Sequence, residues 1–360
     1  MRRTFSLPVA ALASAMACLL LPGFAVQAQQ SVEDFYRGRN VSLVVGYGPG
    51  GGYDVYARLV ARHIGRFIPG QPNVVVQNMP GAGSLVATNF LFNTAPKDGS
   101  TFGTFARDMA LMGVLGGNAN ARYDPQKFTW LGTVASGADD AYLMIARKDA
   151  AVKKIEDAMR PGGPTLLLGG TGEGAGGNDW ANMLRDTIPL RLKVIAGYPD
   201  SAAMFLAIER KEIDGRSLDY SSLKSSRPDW LKPDSPVRVV LQFGRRTRHP
   251  DFPEAPTALE LAPDDRVRAL IDMAELSNTL SRPFAAPPGI PEDRALALQA
   301  AFSAMCQDAA FRADAERLRV DVSHLDGKNV RDVIDKLANA PRDVRDRMRQ
   351  IRYEHDKKGG

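Results

Sequence analysis

Three glycine-rich turns stand where an apolar run gives way to a helical pattern, and they are the residues of this chain best suited to hold an anion. Gly46-Tyr47-Gly48-Pro49-Gly50-Gly51-Gly52-Tyr53-Asp54 follows the apolar residues 41–45, Asn78-Met79-Pro80-Gly81-Ala82-Gly83-Ser84 follows Val74-Val75-Val76, and residues 169–178 follow Thr165-Leu166-Leu167-Leu168. Glycine lets backbone amides come close to a ligand, and a helix N-terminus offers unpaired N–H groups with positive partial charge. That combination suits a carboxylate. Each turn alone reads better as a tight strand-to-helix connection. Three of them, two in the first part of the chain and one in the second, favour a shared anion site.

Other chemistries are less well served. Gly46-Tyr47-Gly48-Pro49-Gly50-Gly51 spells a dinucleotide fingerprint, but Gln77 and Asn78 stand at the end of the next strand, where such a site needs an acid for the ribose hydroxyls. Pro49 also removes one amide donor, and no Walker lysine follows the glycines. The histidines 63, 249, 324 and 355 lack metal-ligand spacing, so no metal or other cofactor is expected. No G-x-S-x-G elbow surrounds a serine, and Ser84 reads as a helix-start residue. Asp54 and Asp214 read as a first-turn helix charge and a turn residue.

The elements that position these turns repeat one theme. Strand, glycine turn and helix occur over residues 41–67 and 74–93, and again over 165–187 and 193–210, which implies an α/β fold with mainly parallel sheets and functional loops at the carboxyl ends of the strands. The expected division is a first lobe of residues 29–133 plus about 244–360, and a second lobe of about 134–243. Charged amphipathic stretches over 292–319 and 329–352 read as helices packed on the outside.

The N-terminus begins with Arg2 and Arg3, continues through an apolar run to Leu21, and reaches Val26-Gln27-Ala28, the order of a cleavable secretory signal over residues 1–28. Because Leu19-Leu20-Leu21 extend the run beyond Cys18, lipidation there is not expected. Losing two arginines and no acid lowers the formal charge from +5 to +3. With no Lys/Arg-dense run, nucleic acid is not an expected partner. Cys306 alone remains after cleavage, so no internal disulfide forms and stability rests on core burial. Later apolar stretches are all interrupted by charges, and the mature chain reads as soluble and periplasmic.

An ordered set of motifs carries a resemblance. Gly48-Pro49-Gly50-Gly51-Gly52-Tyr53-Asp54 with Ala57-Arg58, Asn78 through Ser84, Pro96-Lys97-Asp98-Gly99, Tyr198-Pro199-Asp200-Ser201, Ile213-Asp214, Ala255-Pro256-Thr257 and Ala286-Pro287-Pro288-Gly289 together resemble the Bug receptors, the periplasmic solute-binding proteins of tripartite tricarboxylate transporters. The resemblance implies a two-lobed, type II-like binding protein that acts as a monomer, closes on a small organic acid and works with membrane transporter subunits or a sensor. The positions that match are Tyr47, Pro49, Gly50, Gly51, Gly52, Tyr53 and Asp54 in the first turn, Ala82, Gly83 and Ser84 in the second, and Thr171, Gly172, Gly176 and Asn178 in the third. Tyr198 and Asp214 complete the set. Tyr53 replaces the family's usual Thr, and Glu173 adds an acid to the third turn. An exported enzyme acting on a carboxylate remains the alternative.

Overall fold

The computed structural model describes Met1 and residues 30–136, 141–172 and 176–353. The leader, apart from Met1, and Glu173 lie outside the described residues. Among the described residues eleven strands form two sheets: β1 Asn40–Val45, β2 Asn73–Asn78, β3 Thr101–Thr104, β4 Thr129–Thr133, β5 Tyr142–Arg147, β6 Leu166–Gly169, β7 Leu192–Ile195, β8 Gly215–Asp219, β9 Val237–Phe243, β10 Pro283–Ala286 and β11 Leu325–Asp326. One sheet has the order β11-β4-β10-β3-β1-β2, the other β7-β6-β8-β5-β9.

Both sheets follow one plan. Strands β2, β1 and β3 run parallel, β10 is antiparallel to β3, and β4 is antiparallel to β10. Likewise β7, β6 and β8 are parallel, while β5 runs against both β8 and β9. In each sheet the antiparallel strand arrives directly from the other one: β5 after β4, β10 after β9. The sheets are therefore mixed, because a chain that crosses between them enters from the opposite end. The second crossing carries the helix Asp265–Asn278.

Burial follows the strand pattern. Val41, Leu43 and Val45 of β1 face one core with Phe102, Phe284 and Phe302, whereas Val44 faces another, as strand alternation requires. That second core is continuous across both sheets and includes Phe105, Tyr142, Met144, Trp180 and Phe243. Residues Val32–Gly360 form one compact unit. No described helix is long and apolar enough to cross a membrane.

The tail helices do more than coat the surface. Glu292–Gln307 and Gly327–Ala338 pack against β4, and Cys306 is a free thiol with no exposed surface. Burial pushes that thiol up to about 12. The last helix, Arg342–Tyr353, packs against both Asp265–Asn278 and Gly176–Thr187, with Met348 and Ile351 buried.

Candidate ligand-binding site

A cavity lies where the carboxyl ends of parallel strands from the two sheets meet. Its volume is about 70 Å³ by the measure in which one water needs about 10–15 Å³. Residues following β1 and β3 line one side, and residues at the ends of β6 and β8 line the other. Four helices of eight residues or more begin in its wall: Gly52–Ile64, Asp108–Leu115, Gly176–Thr187 and Ser201–Glu209. Their first-turn amides and dipoles give the cavity a positive bias without any side chain.

Buried arginines sharpen that bias. Arg107, the residue before one of those helices, pairs with Asp219 at the end of β8, and Asp219 also accepts from Arg282 at 3.0 Å. Burial alone would raise the Asp219 carboxyl, but the two guanidinium groups overcome it and hold it below the usual range. Arg282 stacks over Tyr53 and Tyr56, with its centre 4.7 and 4.9 Å from the rings. Tyr47 and Tyr53 stack at 4.8 Å, and the Tyr53 hydroxyl accepts from the Arg107 amide at 3.1 Å. Burial raises the Tyr47 and Tyr142 hydroxyls, so both stay neutral donors.

Arg216 differs from the other two. It is 8% exposed, and among the described residues its guanidinium donates only to the carbonyls of Ser217, at 3.4 Å, and Ser201, at 3.3 Å. Burial presses its pKa down, and among the described residues no acid forms an ion pair with it. A buried cation held by carbonyls and facing a cavity has the chemistry to receive an anion.

The structure brings together part of the expected set. Tyr47, Gly51, Gly52, Tyr53, Thr171 and Asn178 line the cavity. Pro49 and Gly50 are exposed on the outer side of the first turn. Asp54 shapes that turn from below, accepting from the Gly50 amide at 2.9 Å, Arg58 at 2.8 Å and Asn78 at 2.9 Å. Gly176 is the first residue of its helix, and Tyr198 lies just before the lining residues Asp200 and Ser201. Asp214 sits before the first residue of β8, at the far end of the strand, where it pairs with Arg147 at 3.0 Å and accepts from the Leu167 amide.

The second turn has a different place. Ala82, Gly83 and Ser84 do not line the cavity; a Cβ on Gly172 would lie 2.7 Å from the Gly83 nitrogen, so the second and third turns pack directly on one another. Ser84 precedes the helix Leu85–Asn93 but does not cap it. Its φ is +93°, it is wholly buried, and its hydroxyl accepts from the Ala106 amide at 3.1 Å. Gly46 has no room for any side chain, because Ser84 Oγ occupies the space. Sequence reasoning passed over Arg107, Arg216 and Asp219. The available signal was Arg and Asp inside a strand otherwise buried, where charges are rare unless paired or used.

No family model matches the chain. It is 29% identical over 157 residues to a UPF0065 protein in the gbd 5′ region of Cupriavidus necator, covering 44% of this chain and 45% of that one. To a UPF0065 protein of Bordetella pertussis it is 26% identical over 231 residues, 61% of this chain and 65% of the relative. The chain thus spans less than two thirds of the length of either. Its fold matches the periplasmic binding protein BugD with a TM-score of 0.66 at 20% identity, over 88% of this chain and 98% of BugD. The chain has the periplasmic binding-protein fold. MatC from Rhodopseudomonas palustris with bound malate matches at 0.62 and 19% identity, over 85% and 99% of the two chains. A second R. palustris protein, with adipate, matches at 0.65 and 17%, over 86% and 97%. In this fold two lobes close around a ligand. The resemblance of the motifs to the Bug receptors therefore holds as a shared fold.

Proposed function

We propose that this chain is a receptor that captures a small organic carboxylate between its lobes and passes it, chemically unchanged, to a membrane transporter. The observation that carries this reading is Arg216: a buried guanidinium that forms no ion pair among the described residues, facing a cavity on which four helix N-termini converge. Malate and adipate in two proteins of the same fold support the ligand class. On this reading residues 1–28 are a leader removed on export, residues 29–133 with about 244–360 form one lobe, about 134–243 form the other, and the mature chain works as a monomer in the cell envelope.

Mass spectrometry of the native, freshly purified protein should find a co-purified organic acid. A matching acid should add about 2.7 kcal/mol of stability at a hundredfold excess over its dissociation constant. The acid recovered after prolonged incubation should have its original mass. A product of altered mass, or a bound molecule lacking any carboxylate, would sink the receptor reading.

A further inference from the structure

The charged groups facing the cavity divide into compensated and uncompensated ones. Asp219 is shared between Arg107 and Arg282. Asp108 lies 3.8 Å from Arg352, which also holds Asp179 at 2.9 Å. Arg216 and Asp200 remain, and among the described residues neither forms an ion pair. Asp200 uses Oδ1 to cap the helix Ser201–Glu209, accepting from the Ala203 amide at 2.9 Å. Its Oδ2 points toward the first turn, 3.0 Å from where a Cβ on Gly48 would lie. Two wall atoms lack partners: Asn178 Oδ1 and Ser217 Oγ, on residues 4% and 3% exposed.

Resting on the receptor reading above, we infer that the ligand carries a single carboxylate, bound at Arg216, and at its other end a hydrogen-bond donor, hydroxyl or ammonium, in place of a second carboxylate. A second carboxylate would meet Asp200, the wall acid that forms no ion pair among the described residues, with Arg107 already engaged by Asp219 and Arg216 by the first carboxylate. Like charges in a small, poorly hydrated space repel far more strongly than in open water. A donor instead meets the half-buried Asp200 carboxylate and satisfies the Asn178 carbonyl oxygen, which otherwise stays buried without a partner. Cavity size agrees: about 70 Å³ admits roughly five to seven water-sized groups, the scale of a four-carbon acid. This chain would then differ from its malate- and adipate-bound structural neighbours in the end of the ligand that Arg216 does not hold.

Three probes share one carboxylate and chain length and differ at the far end: 4-hydroxybutanoate, 4-aminobutanoate and succinate. In calorimetric titrations of the mature protein, one of the first two should bind at least about tenfold more tightly than succinate. Asp200→Asn keeps a good helix cap and should narrow that ratio by about threefold or more, with melting used to confirm the fold. Succinate binding as well as both others would overturn the inference and leave the receptor reading standing. An unchanged ratio in Asp200→Asn would also overturn it. Should none of the three bind at millimolar concentration, the inference fails, and the co-purified molecule decides the rest: a dicarboxylate retains the receptor reading, and a molecule without a carboxylate ends both.

Discussion

Arg216 makes stability and binding respond with opposite signs. The unliganded fold bears the cost of a buried guanidinium that only carbonyls satisfy, and Arg216→Gln removes that charge. Melting of the empty variant should hold or rise, while affinity for the physiological acid should fall by about 2–4 kcal/mol, since one half of a buried charge-assisted pair is gone. Equal affinity, measured by calorimetry, would move the carboxylate elsewhere. How far such a residue is legible in sequence depends on its partners. The glycine turns announce themselves through local conformation, and so Tyr47, Gly51, Gly52, Tyr53, Thr171 and Asn178 could be placed at the cavity from sequence. Arg107 and Asp219 are 112 residues apart and compensate each other only after both sheets form. Ser84 shows the converse: a good capping residue by type, it turns inward because the Ala106 amide and the space above Gly46 claim its hydroxyl.

At the scale of elements, periodicity reads seven of the eleven described strands and most helices, because alternation and glycine punctuation are local, and it leaves β3, β8, β10 and β11 unread. The mixed character of the sheets was not local, since the direction of β5 and β10 follows from the chain's crossing between sheets. The second crossing carries a titratable group that no pattern marks. Glu275, on the helix Asp265–Asn278, accepts from the Gly244 amide at 3.0 Å just beyond β9. Burial chiefly, and Asp272 after it, push its carboxyl from 4.5 up to about 7, against the Gly244 bond. The fold thus favours the protonated form. Stability from this group is fully present below about pH 4.5 and is lost as pH rises to about 7. Glu275→Gln should flatten that window and raise stability at pH 8 by on the order of 1–3 kcal/mol in denaturant titrations. A variant whose pH slope matched the parent's would place the titration on another group.

At the scale of the molecule, residues that follow strands of different sheets touch one another directly. Gly172 rests on Ala82 and Gly83, Gly48 on Asp200, and Gly52 on Ser222, while Arg107 reaches Asp219 and Arg352 reaches Asp179. Gly172→Val places methyl groups where the Gly83 nitrogen lies, at a residue whose own φ is ordinary, so closure should suffer while each sheet folds as before. Small-angle scattering with saturating ligand should give a larger radius for the variant than for the parent, with faster ligand release. Identical radii would mean that the lobes close without this contact. Beneath the first sheet, meanwhile, Cys306 keeps a different kind of record. Its sulfur is wholly enclosed and held as a thiol at neutral pH, so a labelling reagent meets it only when the packing of Glu292–Gln307 on β4 has come apart. Each modified molecule registers one such opening, and the protein carries its own clock for how often that core breathes.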